Sequence, residues 1–259
     1  MKIGDYMEKP IDISFIPKSK VKTVIVDRRV PRCIQNKIRA EGINIIKTCC
    51  CSDLYEAILC HPDILMHHVG GNEIVVSPNV YEHMRFQFEK LNFKVILGET
   101  VLGSTYPNNI AYNVGRIGKF AVHNFKYTDK VLFEKLVEKD IKLINVKQGY
   151  AKCSICIVNE NAVITSDKGI AKQLDRYGID VLFISHGYID LPGLNYGFIG
   201  GASGLVDKDK ILFCGDIRLH PDYEKIKLFL DKYSIRLDYV ENEKLIDLGS
   251  IIPITESVV

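Results

Sequence analysis

The 259-residue chain has no charge of one dominant sign. Lys and Arg number 34 against 32 Asp and Glu, a formal +2. Such a balance supplies no bulk field to hold a polyanion, so no nucleic-acid partner is expected. No apolar run approaches the ~18 residues that would span a bilayer, so no membrane partner is expected either. The opening MKIGDYMEKPIDISF has acidic residues and no apolar stretch, and does not read as a secretory signal. Eight cysteines without such a signal read as reduced thiols in a cytoplasmic protein rather than as a disulfide framework. There is no composition shift, Pro-rich linker or charge block to divide the chain, so residues 1–259 read as one domain, with 1–11 an N-terminal extension. Neither glycine-rich nucleotide fingerprint is present, and nothing in the sequence calls for a cofactor.

What is present is a diverged repeat. Short β-rich runs begin at Val24, Ile74, Phe120, Val163 and Ile211, at intervals of 50, 46, 43 and 48 residues. An amphipathic helical stretch follows each run. In VLFEKLVEKD the apolar stripe is Val131, Leu132, Leu136 and Val137. Second β-like runs begin at Ile43, Phe93, Ile141, Ile179 and Ile235, with Gly42 and Gly178 placed as helix stops. A further β-like run precedes most units: Asp63–Met66, Asn109–Tyr112, Cys153–Cys156 and Ala202–Leu205, with Asp12–Phe15 supplying the first. The repeating unit is therefore strand, turn, strand, helix, strand. Five such units bury their edges most simply by circular closure, as an α/β arrangement of five blades about a pseudo-fivefold axis.

That unit, with the stretches GYAKCSICIV, ITSDKGI and GFIGGASG, resembles the pentein superfamily of guanidino-group-modifying proteins, over roughly residues 12–254. The superfamily holds deiminases, amidinotransferases and dimethylarginine hydrolases, and also non-catalytic members. The resemblance implies a five-bladed α/β-propeller with its chemistry at the starts of the inner strands. On this chain those starts fall near Asp12, His61 to Asp63, Asn108 to Asn109, Lys152 to Cys153, and Gly201 to Ser203. It also implies carboxylates in early units to hold a guanidinium, a His opening the fourth unit and a Cys opening the fifth. Asp63 fits the carboxylate, whereas Asn109 is neutral, Cys153 stands in the place of the His and Ala202-Ser203 in that of the Cys.

The residues' own chemistry gives two classes of function. In one, Cys153 attacks the C–N carbon of a small cationic guanidine or amidine, Asp63 pairs with the cation, and His186 or His61 moves the proton. Asn109, Lys152, Ser203 and Gly201 would complete the binding site. In the other, the chain binds a small ligand or a protein partner without chemistry. Cys153 and Cys156 lie three apart on a strand-like run and so face opposite ways, which argues against a redox pair. Cys49, Cys50, Cys51, Cys60 and His61 do not provide zinc-ligand spacing and read as a packed loop with a helix starting at Ser52-Asp53; no metal is expected. Gly200-Gly201-Ala202-Ser203-Gly204 is either a tight backbone crossing or a set of N–H donors to a ligand. The Gly-rich connection Leu191–Phe198 is a candidate lid.

Overall fold

The computed structural model describes residues 8–258. The chain builds five small separate sheets. In chain order, β1 (Glu8–Pro10), β2 (Val21–Val26), α1 (Arg32–Ala40) and β3 (Asn44–Lys47) come first. The second unit is α2 (Pro62–Leu65), β4 (Met66–Gly70), β5 (Glu73–Val76), α3 (Tyr81–Glu89) and β6 (Lys94–Leu97). The third is β7 (Gly115–Ile117), β8 (Phe120–His123), α4 (Lys130–Glu138) and β9 (Lys142–Asn145). The fourth is α5 (Ala151–Ser154), β10 (Cys156–Asn159), β11 (Ala162–Thr165), α6 (Lys168–Asp175) and β12 (Asp180–Phe183). The fifth is β13 (Ser203–Asp207), β14 (Lys210–Phe213), α7 (Tyr223–Lys232) and β15 (Arg236–Tyr239), after which β16 (Ile252–Ser257) ends the fold.

One connectivity recurs in all five sheets. An antiparallel pair comes first, as in Met66↔Val76, Gly115↔Val122, Cys156↔Ile164 and Ser203↔Phe213. The helix then crosses over to a parallel third strand, as in Ile74↔Val95 and Ile211↔Leu237. The helix ends repeat as well. Gly42, Asn92, Asp140, Gly178 and Ser234 all turn left-handed, with φ from 53° to 75°. This is the usual helix stop, and glycine supplies it at only two of the five sites. The next residue, at 43, 93, 141, 179 or 235, immediately precedes the parallel strand. At the helix starts, the Asp129 and Asp167 carboxylates accept the backbone N–H of Leu132 and Ile170. Of the apolar stripe read in α4, Leu132 and Leu136 are buried, but Val137 is 54% exposed.

The first sheet departs from the sequence reading. Asp12–Phe15 forms no strand there and makes only an isolated bridge, Ile13↔Ile16. Its antiparallel strand is β16, from the far end of the chain, paired through Ile252↔Ile25. Strand β1 adds a fourth strand to the other side of β16. The expected extension 1–11 thus lies partly outside the described residues, and its last part is built into a sheet.

The inner strands of units two to four also begin later than the sequence suggests. A turn or helical turn precedes them: α2 before β4, residues 109–113 before β7, and α5 before β10. Pro62 has no N–H to lose and a φ suited to a first helical position, so it opens α2 rather than closing a helix from Ser52-Asp53. The expectation of eight free thiols fails at one pair. Segment 48–61 doubles back, and Cys50 is bonded to Cys60 across it. The other six cysteines are free.

The strands owe their place to burial. Ile74, Val75 and Val76 of β5 are completely enclosed between inner strands and crossover helices, as are Val163 and Ile164 of β11. Fully burying side chains of this kind is worth about 1.5–3 kcal/mol each. No helix among the described residues is long and apolar enough to cross a membrane.

Candidate active site

The approaches to the five inner strands meet. Before β4 stand His61 and, within α2, Asp63. Before β7 stands Asn113. Lys152 and Cys153 lie on α5, Gly200 and Gly201 lead into β13, and Gly249 and Ser250 lead into β16. The backbone N–H of Asp63 donates to the Gly249 carbonyl, and that of Gly201 to the Cys153 carbonyl, so the approaches lock one another.

Asn113 is the hub of the polar contacts. Its Oδ1 accepts the backbone N–H groups of Lys152 (2.8 Å) and Cys153 (3.2 Å). Its Nδ2 donates to the Asp63 carbonyl and to Cys153 Sγ, both at 3.1 Å. The Cys153 thiol in turn donates to Asp63 Oδ2 at 3.1 Å. On the same oxygen, Ser250 donates its hydroxyl at 2.7 Å and accepts from Lys152 Nζ at 2.8 Å. The Lys152 ammonium also reaches the Gly200 carbonyl (3.2 Å) and lies 5.2 Å from the centre of the Phe15 ring.

His61 completes the group. One of its nitrogens, an Asp63 oxygen and Cys153 Sγ offer ligand atoms all within 4.8 Å of one another. Two further carboxylates flank the ring: Asp27 Oδ2 is 3.8 Å from Nε2, and Asp247 Oδ1 is 3.9 Å from Nδ1. Asp27 is already held by the Arg29 guanidinium, with Nε to Oδ1 at 3.0 Å and a terminal nitrogen to Oδ2 at 2.7 Å. Asp247 is oriented by backbone N–H groups of Phe198 and Gly249, both at 2.9 Å. Neither nitrogen of His61 has a hydrogen-bond partner, nor does Asp63 Oδ1, although each is buried. Buried polar atoms are nearly always paired, so these mark where a ligand's polar groups would go. His61, Asp63 and Cys153 are also the one set among the described residues with donor atoms close enough to share a cation.

The electrostatics favour a positive guest. Burial, then the nearby Asp63 and Asp247 carboxylates, push the Cys153 thiol well above the ordinary thiol range. Burial also raises Asp247, and His61 opposes that rise. The site thus holds a protonated thiol among acidic side chains.

A cavity of about 260 Å³ opens onto this floor, with His61, Cys153 and Asp247 in its lining. Its walls are aromatic. Tyr150 stacks on Phe198 at 6.4 Å, and Tyr196 meets Phe198 edge-on at 6.0 Å. The Tyr55 and Tyr150 hydroxyls lie 3.3 Å apart, and Tyr150 donates to Asn109 Oδ1 at 3.0 Å.

Of the residues singled out in the sequence, Cys153, His61 and Asp63 come together, with Lys152 behind them. Asn109 is one step removed and holds Tyr150. His186 is exposed at the rim, its ring 5.6 Å from that of Tyr196, and is not in the group around Cys153. Ser203 donates to the Ile199 carbonyl within its own turn. A Cβ on Gly201 would lie 2.6 Å from Asp247 Oδ2, so this glycine is a close-approach position. Asp12 is exposed and faces Lys18; the place expected for it is taken by Gly249-Ser250. Asp27, Asn113, Asp247 and Ser250 were not read from the sequence as site residues. Asp27 had a signal, as the polar end of the first repeat run.

A family model described as a family of unknown function, DUF6873, matches residues 25–252. The chain belongs to that family. No curated protein matches the sequence. Among solved structures, it is similar to an amidinotransferase of the saxitoxin pathway from Microseira wollei, with TM-score 0.60 and 11% identity over 96% of this chain and 97% of that one. It is also similar to the inosamine-phosphate amidinotransferase of Streptomyces griseus, with TM-score 0.54 and 11% identity over 95% and 96%. An agmatine deiminase from C. jejuni with substrate bound matches with TM-score 0.54 and 9% identity over 93% and 92%. At such identities the likeness is one of fold, and the fold is that of the pentein superfamily, mixed α/β with several small sheets.

Proposed function

We propose that the DUF6873 chain acts on a C–N bond of a small guanidine or amidine through Cys153. One observation carries this reading: a thiol, an imidazole and the Asp247 carboxyl group line an aromatic-walled cavity, with Asp63 hydrogen-bonded to that thiol and buried polar atoms of His61 and Asp63 left unpaired. In this reading the five sheets are blades of one α/β-propeller spanning the chain, and the site lies at its axial mouth.

The chemistry follows from charge. A guanidinium seated against Asp63 and Asp247 gains charge-assisted hydrogen bonds. Its positive charge offsets the field that keeps Cys153 protonated. His61 takes the thiol proton, and the thiolate attacks the guanidinium carbon. The C–N bond breaks as His61 returns the proton to the departing amine or ammonia, leaving an amidino group on sulfur. Water then completes hydrolysis, or a second amine completes transfer.

The test is turnover of a guanidine panel, with mass spectrometry of Cys153 during turnover. The expected result is an amidino adduct on Cys153 and loss of product in Cys153→Ser. A Cys153→Ser protein with full turnover would sink the reading. The buried, protonated thiol also favours a second reading, a binding protein without chemistry. Its signature is a guanidine-dependent rise in melting temperature with no product.

A further inference from the structure

If the cavity takes a guanidinium on its floor, the rest of the ligand lies against its walls. We infer that this ligand carries an apolar or aromatic tail and no carboxylate, and that the 191–198 segment sets this preference.

Among the described residues, no lysine or arginine lines the cavity. Three nearby cations have partners of their own. Lys152 is held by the Gly200 carbonyl and Ser250. Arg29 is held by Asp27 and by the Glu56 and Ala57 carbonyls. Lys244 faces Asp190 at 3.3 Å. The acidic group in the lining, Asp247, has the same sign as a ligand carboxylate and is kept in place by two backbone N–H groups.

A carboxylated tail would therefore lose water and gain no lysine or arginine partner, while facing an acidic group. The walls offer the opposite chemistry. Ile58, Leu191 and Leu194 are aliphatic, and Tyr55, Tyr150, Tyr196 and Phe198 are aromatic. Leu194 is 50% exposed and Tyr196 41% exposed, so the segment holds apolar surface open to a tail. Two lining groups can donate hydrogen bonds without charge, the Asn195 amide and the Tyr196 hydroxyl, and these suit a neutral tail.

This inference rests on the guanidine reading, and the experiment separates the two. Calorimetry on wild type and on Cys153→Ser would compare butylguanidine, benzylguanidine, arginine methyl ester and arginine. The last two differ at the carboxyl group, charged in arginine and capped by a methyl group in the ester. The ester is expected to bind ~10- to 100-fold more tightly than arginine, the range for leaving one buried charged or polar group unpaired. Butylguanidine is expected to match or exceed the ester. Leu194→Arg or Asn195→Arg, each placing a cation at the rim, should narrow the ester-to-arginine gap.

Arginine binding as tightly as its ester overturns the inference and leaves the guanidine reading standing. A gap that neither Leu194→Arg nor Asn195→Arg changes overturns the assignment to this segment. If no guanidine binds, the proposed function falls, and the inference with it.

Discussion

Replacing Asp63 by Asn should make Cys153 more reactive, although it removes an acidic group from the site. The Asp63 carboxylate accepts the thiol proton's hydrogen bond at 3.1 Å and is the largest nearby charge raising the thiol. Two unit charges about 4 Å apart interact by ~4 kcal/mol at an effective dielectric of ~20. One pKa unit corresponds to about 1.36 kcal/mol. Losing the carboxylate should thus lower the thiol by roughly one to three units, the upper figure being the Coulomb ceiling. Each unit gives about ten times more thiolate, but a less basic thiolate is a weaker nucleophile, with a Brønsted coefficient of about 0.4–0.5. The net expectation is a roughly 3- to 40-fold faster alkylation at fixed neutral pH. Asn preserves the shape, so access is unchanged. The assay is iodoacetamide labelling of native protein across pH, read per cysteine by peptide mass spectrometry, with Cys49 and Cys51 as internal references. An unchanged rate in a folded variant would refute the field argument. A slower rate would make Asp63 the acceptor of the Cys153 proton.

Three further outcomes follow from the geometry. Gly201→Ala puts a methyl group into the Asp247 carboxylate, which two backbone N–H groups prevent from moving aside. Overpacking of this kind costs about 1–3 kcal/mol, or a melting temperature lower by roughly 2–10 °C in a chain of this size; an unchanged melting curve would contradict the close packing. Cys50→Ser opens the loop closed between residues 50 and 60. It should cost ~2–3 kcal/mol by the chain-entropy estimate, and dithiothreitol should do the same to wild type; identical melting with and without reductant would contradict it. His123 is held neutral by burial, its pKa lowered to about 4. The unfolded chain, near 6.5, takes up that proton first as pH falls. Stability should therefore drop between about pH 6.5 and 4, by up to ~1.4 kcal/mol per pH unit from this residue. His123→Gln should flatten the profile in urea titrations over that window, and superimposable profiles would exclude the assignment.

The repeat was legible because each unit obeys the same local rules. Enclosed β-branched runs, an amphipathic helix and a helix stop recur at similar intervals, and the parallel strands begin within one residue of the expected Ile43, Phe93, Ile141, Ile179 and Ile235. Inner strands β4 and β10 begin three residues later than expected and β7 six, because the segments before them carry both polar site residues and apolar ones. Asp63-Ile64-Leu65-Met66 has the composition of a strand, yet Pro62 and the bonds from Asp63 N–H to Gly249 and from Ile64 N–H to His61 turn it into a short helix. Asn113 was missed for the same reason, since it lies in a turn that apolar neighbours make look extended. Left-handed turns at Asn92, Asp140 and Ser234 were hidden because only glycine advertises such a backbone in sequence.

The missing half of the site has a different cause. Ser250 meets Asp63 across 187 residues, and that contact exists only because β16 completes the first sheet. No local propensity encodes such a pairing. Repeat logic does constrain it: every other sheet has an inner strand introduced by a site-bearing turn, so the first sheet needs one too. Asp12–Phe15 was the nearest candidate, but Ile252–Ser257 is the longer β-rich run, and Gly249-Ser250 before it parallels Gly200-Gly201 before β13. Once β16 is assigned to the first sheet, Asp247 and Ser250 fall at the site without further assumption. Gly201 then has a concrete reason to lack a side chain. Of the two uses open to the glycine cluster, the close crossing is the one found, since both Gly200 and Gly201 pack against other segments of the chain. What that crossing achieves is electrostatic: it brings Asp247 beside His61, in reach of the cavity floor, from a part of the chain that shares no local sequence with Cys153.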